Sequence, residues 1–137
     1  MKTPITVETL INAPIEKIWE YWTAPEHITH WCFASNDWCA PRATQDLTVG
    51  KEFTTRMEST DGKHGFDMKG TYTAIEENKL LEYVMEDGRK VKVEFVQEGD
   101  AYKVTETFDP EDENPAEMQK AGWQAILDNF KKYVNQA

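Results

Sequence analysis

From Ile5 to Ile11 the chain alternates, Ile5, Val7 and Thr9 being separated by Thr6 and Glu8 before Leu10 and Ile11 follow together. A period of two marks a strand with one buried face, so a strand is predicted that ends near Asn12. Asn12-Ala13-Pro14 then reads as a helix start. Proline lacks only an N–H that the first turn leaves unbonded, and its fixed φ suits that turn. Ile15, Ile18, Trp19 and Trp22 follow at helical spacing and give a short helix one apolar face. Thr23-Ala24-Pro25-Glu26 repeats the signal, with Thr23 placed to cap and Glu26 placed to complete a capping box. The second short helix carries Ile28 and Trp31 on its inner side.

Beyond Asn36-Asp37 the period changes. Segments rich in Thr, Val, Tyr and Phe are punctuated by Val49-Gly50, Asp61-Gly62, Glu77-Asn78, Asp87-Gly88 and Gly99-Asp100, the turn chemistry of hairpins. Strands are predicted over 40–46, 52–59, 65–76, 79–86, 90–98 and 101–108. Turns this short join antiparallel neighbours, because a parallel pair needs a crossover of about a dozen residues. The acidic run Asp109-Pro110-Glu111-Asp112-Glu113 has no apolar content and reads as a solvated connection. The longest helical pattern follows it. Asn114 stands as cap, Pro115 in the first turn and Glu117 within reach of the cap. Trp123, Ile126, Leu127, Phe130 and Val134 then form one face, with Lys120, Gln124, Asp128, Lys131 and Lys132 on the other. Ending near residue 135, this helix is roughly 30 Å long.

These elements compose an α+β helix-grip fold of order β-α-α-β6-α, with residues 1–137 expected as a single domain. A long C-terminal helix lies over a curved seven-stranded antiparallel sheet. Such a sheet coils, so a straight helix laid across its concave face touches the rim more closely than the middle. The candidates to fill or line that gap are large and adaptable: Trp31, Phe33, Trp38, Phe53, Met57, Phe66, Met68, Tyr72, Tyr83, Phe95, Trp123 and Leu127. Aromatic rings and methionines offer broad apolar area, polarizable sulfur and a few polar tips, which suits the wall of a ligand cavity. The same residues also serve as plain core.

Charge narrows the partners. Twenty-five acidic against fifteen basic residues give a net charge of -10, which repels phosphate backbones and anionic headgroups. Lys131-Lys132 and Arg89-Lys90 are the only adjacent basic pairs, so neither a nucleic-acid partner nor membrane insertion is expected. Met1-Lys2-Thr3-Pro4 lacks the apolar core of a signal peptide and no stretch approaches a membrane span, which makes the cytoplasm the expected location. Cys32 and Cys39, with six residues between them, match no common zinc or redox spacing and read as structural thiols.

The run Asn12-Ala13-Pro14-Ile15-Glu16-Lys17-Ile18-Trp19, followed by Pro25-Glu26-His27-Ile28-Thr29-His30-Trp31, resembles the SRPBCC superfamily, which also holds START and birch-pollen-allergen-like domains. More narrowly, the chain is similar to the group named for the C-terminal domain of the activator of the heat-shock protein 90 ATPase. Val49-Gly50-Lys51-Glu52-Phe53, Gly70-Thr71-Tyr72 and Gly122-Trp123-Gln124-Ala125-Ile126-Leu127 continue the likeness over nearly the whole chain. Where the family often has two glycines, this chain has Gly50-Lys51. The resemblance implies a helix-grip fold with a hydrophobic cavity, and functions that range from lipid carriage and hormone binding to polyketide cyclisation and chaperone stimulation. Without the activator's N-terminal half, chaperone work is not expected of this segment.

Candidate chemistry is sparse. His27 and His30 lie three apart with Cys32 close by, but no further ligand at a helical offset completes a metal set, and both read as surface histidines. His64 reads as a turn or strand-edge residue. The chain has no nucleophile elbow, phosphate loop or dinucleotide fingerprint, so no cofactor or metal is expected. Glu106 is different. It shares strand parity with Tyr102, Val104 and Phe108, which carries its carboxyl toward the apolar gap unless the strand is an exposed edge. There its pKa would rise unless Arg56 or Arg89 lay near.

Three readings follow. The first is a non-enzymatic domain that binds a small, mainly hydrophobic molecule. The second is an enzyme of the cyclase or isomerase kind with Glu106 as general acid or base. The third is a protein-interaction module of the co-chaperone kind.

Overall fold

The computed structural model describes residues 3–136, so Met1 and Lys2 of the segment inspected for a leader lie outside the described residues. Its elements run β1 (Ile5–Ile11), α1 (Ile15–Thr23), α2 (Pro25–Ile28), β2 (Trp38–Thr44), β3 (Glu52–Ser59), β4 (Gly65–Glu76), β5 (Leu80–Met85), β6 (Lys90–Glu98), β7 (Ala101–Phe108) and α3 (Ala116–Gln136). All seven strands form one antiparallel sheet in the order β1-β7-β6-β5-β4-β3-β2. The meander expected from the turn signals is therefore present, and β1 joins it beside the last strand. This is the helix-grip architecture.

Strand parity decides what faces the helices. Val7 on β1, Glu106 on β7, Val93 on β6 and Leu81 on β5 are successive partners across the sheet and all are buried. The long strand β4 cannot keep one parity throughout. Its pairing with β5 shifts between Tyr72 and Ala74, a bulge that bends the strand and returns Ile75 to the inner face opposite Leu81. At the β4–β5 turn Asn78 takes a φ of 67°, a left-handed conformation that asparagine tolerates better than other side-chain-bearing residues.

The covering layer is held by an aromatic knot. Trp22 from α1, Trp31 just beyond α2 and Phe130 from α3 stand with ring centroids 4.7–4.9 Å apart, and Trp22 also meets the edge of Phe95 on β6 at 6.0 Å. Asn129 fixes the same corner, donating to the Trp31 carbonyl at 2.9 Å. At 1.5 Å per residue α3 is about 30 Å long. It packs along β1, where Gln124 donates to the Glu8 carbonyl at 3.1 Å, and stands off from the middle of the sheet.

Several local expectations need correction. Thr23 is the last residue of α1 rather than a cap: its hydroxyl donates back to the Trp19 carbonyl at 2.8 Å, so α2 begins at Ala24-Pro25 with no side-chain cap. Asn114 does not cap α3 either: the Pro115 carbonyl accepts the first helical bonds, from Met118 and Gln119 at 3.1 Å, and the Asn114 amide donates to Glu111 at 2.7 Å. Buried Gln119 holds that junction. Its oxygen accepts from the Glu111 N–H at 2.8 Å, and its amide donates to the carbonyls of Asn114 at 2.7 Å and Glu111 at 3.2 Å. The second strand lies two residues earlier than expected, since Trp38 pairs with Ser59 while Gln45 leaves the ladder for side-chain partners.

Among the described residues no helix is long and apolar enough to cross a membrane. Cys32 and Cys39 are free thiols.

Candidate functional site

Where α3 stands off from the sheet, a cavity of about 90 Å³ remains. Its walls come from most of the fold: Trp22 of α1, Ile28 of α2, Trp31 and Cys32 beyond it, Phe53 and Thr55 of β3, Met68 and Tyr72 of β4, Leu81 and Tyr83 of β5, Glu106 of β7, and Trp123 and Ile126 of α3. Thr44 and Gln45 complete it beside β2. Most of this lining is apolar. At about 30 Å³ per water in the liquid, the space holds roughly three waters or a molecule of a few non-hydrogen atoms. Drug-sized ligand sites are larger, about 300–1,000 Å³, so a lipid chain does not fit the cavity in this form.

Rigid pairs shape the walls. Phe53, Tyr72 and Tyr83 form a triad with centroid distances of 4.9–6.2 Å. Trp123 lies flat on Phe108 at 3.8 Å, with 9° between the planes. The Tyr72 hydroxyl donates to Gln45 at 2.9 Å, and the Gln45 amide donates to the Thr23 carbonyl at 3.0 Å. That relay ties β4 to the end of α1 at one side of the cavity.

The polar groups gather around Glu106. Only 5% of this residue is exposed, and among the described residues its carboxyl has neither a hydrogen bond nor an ion pair. The two arginines weighed as partners are engaged elsewhere: Arg56 with Glu58 at 2.9 Å and Asp67 at 3.4 Å, Arg89 with Asp87 at 2.8 Å. Burial therefore pushes the Glu106 carboxyl up to about 8, leaving it protonated at neutral pH. The Cys32 thiol is pushed up to about 12 by burial and by Glu106, which removes it from thiolate chemistry. Burial, reinforced by Glu106, also holds the Tyr83 phenol well above its ordinary value, and burial carries Tyr72 to about 12.

Six of the twelve aromatic, methionine and leucine positions expected at the gap line this cavity: Trp31, Phe53, Met68, Tyr72, Tyr83 and Trp123. The other six lie elsewhere. Leu127 and Met57 are buried in the surrounding core, and Phe95 is covered by the edges of Trp19 and Trp22. Phe33 faces a separate shallow groove with Asn129 and Lys132. Phe66 is 50% exposed. It sits opposite buried Met57 on the inner face, but it has only Trp38, 6.0 Å away, as an aromatic neighbour. Parity sets its side, while exposure depends on where the covering layer ends.

Sequence reasoning missed Trp22, Ile28, Cys32, Thr55, Leu81 and Ile126 as lining residues, and with them Thr44 and Gln45. Trp22 and Ile126 were legible as inward helix positions, and Leu81 shares its parity with Tyr83. Thr55 and Cys32 gave no signal, since neither their type nor their spacing marks a wall. His27 is less superficial than expected: it bonds the Tyr133 hydroxyl through Nδ1 at 2.7 Å and stacks on Tyr21 at 4.0 Å, while His30 is exposed as expected and stacks on Tyr133 at 5.4 Å. They join α2 to α3, and no cluster of three metal-ligating side chains occurs among the described residues.

The family described as Activator of Hsp90 ATPase homolog 1-like protein matches residues 12–135. Among solved structures, the chain is similar to an AHSA1-like protein from Aeromonas hydrophila, with 43% identity over 98% of this chain and 93% of that one and a TM-score of 0.92. It is also similar to a protein from Cytophaga hutchinsonii, with 48% identity over 97% of this chain and 92% of that one and a TM-score of 0.85. A protein from Nitrosomonas europaea shares the fold at 16% identity, over 97% and 94% of the two chains with a TM-score of 0.82. Comparison with curated proteins finds no match.

Proposed function

Because the chain belongs to the Activator of Hsp90 ATPase homolog 1-like family, we propose that it serves as a receptor for one small, mainly apolar molecule held between α3 and the sheet. The observation that carries this reading is the cavity itself, a space of about 90 Å³ walled by large rigid side chains. Left dry, a void of that size costs about 2 kcal/mol against a filled core. A ligand of matching shape restores the missing contacts. Thr55 and Cys32 stand at the wall where bulkier residues would close the gap, and their small side chains leave the space open.

Two measurements test the reading. Native mass spectrometry of the protein purified from its source should show a non-covalent adduct that disappears on denaturation. Titration with benzene should give saturable NMR shifts at the indole N–H groups of Trp22, Trp31 and Trp123. Replacing Ile126 with Trp at the helix side should block that uptake. No adduct together with no benzene response would overturn the proposal.

Glu106 favours a second reading, an enzyme of the cyclase or isomerase kind. A carboxyl protonated at neutral pH inside an apolar cavity is equipped to act as a general acid. If turnover of a cyclisable or isomerisable substrate is found, Glu106→Gln should abolish it; unchanged turnover removes Glu106 from the mechanism.

A further inference from the structure

Resting on the receptor reading above, we propose that the cavity takes a small aliphatic ammonium ion, with its charged end on the Glu106 carboxylate and its carbon skeleton against Trp22, Trp31, Phe53 and Trp123. Every ionisable side chain lining the space is an acid: Cys32, Tyr72, Tyr83 and Glu106. Among the described residues no lysine, arginine or histidine lines it. Aromatic rings attract cations through the negative quadrupole of their faces, and that attraction strengthens where water is excluded. The net charge of -10 favours entry of a cation over an anion. A cavity of this size suits a short aliphatic amine.

The surroundings of Glu106 make the carboxyl dependent on what enters. Its partners across the sheet are Val7 on β1 and Val93 on β6. The helices contribute Trp22 from α1, Ile28 from α2, and Trp123 and Ile126 from α3, with Trp31 beyond α2, and β3, β4 and β5 contribute Phe53, Thr55, Met68 and Leu81, none of which titrates. Beside β2, Thr44 and Gln45 bring no charge either. Tyr83 on β5, Tyr72 on β4 and Cys32 after α2 are the titratable groups that line the cavity with it, and none can supply a positive charge. With the cavity free of a cation, Glu106 keeps its proton up to about pH 8. Arrival of an ammonium ion stabilises the carboxylate, so the carboxyl O–H bond breaks, its proton passes to solvent and the electron pair stays on oxygen.

Calorimetric titration with n-butylammonium at pH 6.5, in buffers of different ionisation enthalpy, reads that proton directly. About one proton should be released per ammonium bound, and affinity should rise by up to about tenfold per pH unit toward pH 8 and then level off. Butan-2-one, of similar size but neutral, should bind more weakly and release none. In Glu106→Gln, proton release should vanish and ammonium affinity should fall at least about tenfold. Tighter binding of butan-2-one that weakens above pH 8 would overturn the proposal in favour of a protonated Glu106 donating to a carbonyl oxygen. Benzene uptake without any n-butylammonium binding would overturn it and leave the receptor reading standing. Failure of both probes would overturn the two together. Should Glu106→Gln not fold, the comparison of the two probes on the native protein still decides.

Discussion

Phe53 and Tyr83 meet edge to face with ring centroids 4.9 Å apart and planes at 86°, crossing over the backbone of the strand between them. That strand carries Gly70 at the crossing. A Cβ there would stand 2.6 and 2.7 Å from Phe53 ring carbons and 3.0 Å from Tyr83. The glycine is needed for close approach of the two rings, and both rings line the cavity.

Gly70→Ala is therefore expected to displace Phe53 and to destabilise the fold by about 1–3 kcal/mol, as overpacking does. Urea denaturation would read the loss as a lower midpoint with an unchanged slope. Benzene uptake should fall in the same variant. An unaltered midpoint would show that the rings move aside freely.

Glu106 makes stability depend on pH in the direction opposite to most acidic side chains. Its carboxyl titrates near 4.5 when unfolded and at about 8 when folded. Between those values the folded chain holds a proton that the unfolded chain has lost, so stability is highest below the unfolded value and declines as pH rises through 8. The contribution is roughly 4–5 kcal/mol across that window. Urea midpoints at pH 5 and pH 8.5 would measure it, and Glu106→Gln should flatten this part of the profile. A native protein whose stability does not fall over that range would show that Glu106 is ionised in the fold.

Trp123 holds its side of the cavity by lying on Phe108 at 3.8 Å. Trp123→Ala should cost about 3 kcal/mol or somewhat less, because the indole is only half-buried. It should also widen the cavity. The expected signature is a lower urea midpoint together with NMR-detected uptake of indole, which is larger than benzene.

Gln119 joins the acidic connection to the start of α3 through three hydrogen bonds. Gln119→Leu keeps the bulk but leaves the Glu111 N–H and the Asn114 carbonyl without these partners, at a cost of about 1–3 kcal/mol. Faster amide exchange over residues 109–118, with the strands unchanged, is the expected outcome.

The strands were legible in the sequence because period-two alternation and turn residues act locally. Asp87-Gly88 and Gly99-Asp100 mark their hairpins without reference to the rest of the chain. Caps were less legible, since several nearby side chains compete for the same free backbone groups. At α3 the Asn114 side chain turns to Glu111 instead, and a buried glutamine inside the helix ties down the connection before it. The site was legible by halves. Parity placed Phe53, Tyr72, Tyr83 and Glu106 on the inner face, but parity carries no information about how far the covering helices extend. Phe66 and Phe95 share that face and meet opposite environments. Cys32 and Thr55 became wall residues only through the tertiary approach of a loop and a strand.

The place of β1 beside β7 also orders the events of biosynthesis. Ile5 emerges from the ribosome before the other strands, yet its strand partner Phe108 belongs to the last of them, and the helix that covers both emerges later still. A contact between such distant segments carries a large loop-closure cost and slows folding. Until residues 101–136 have been translated, the hairpins of the meander can pair with one another, but the first strand has no ladder to join and the hollow has no roof. The hollow thus closes last, once β7 has given β1 its ladder and α3 has followed to cover both.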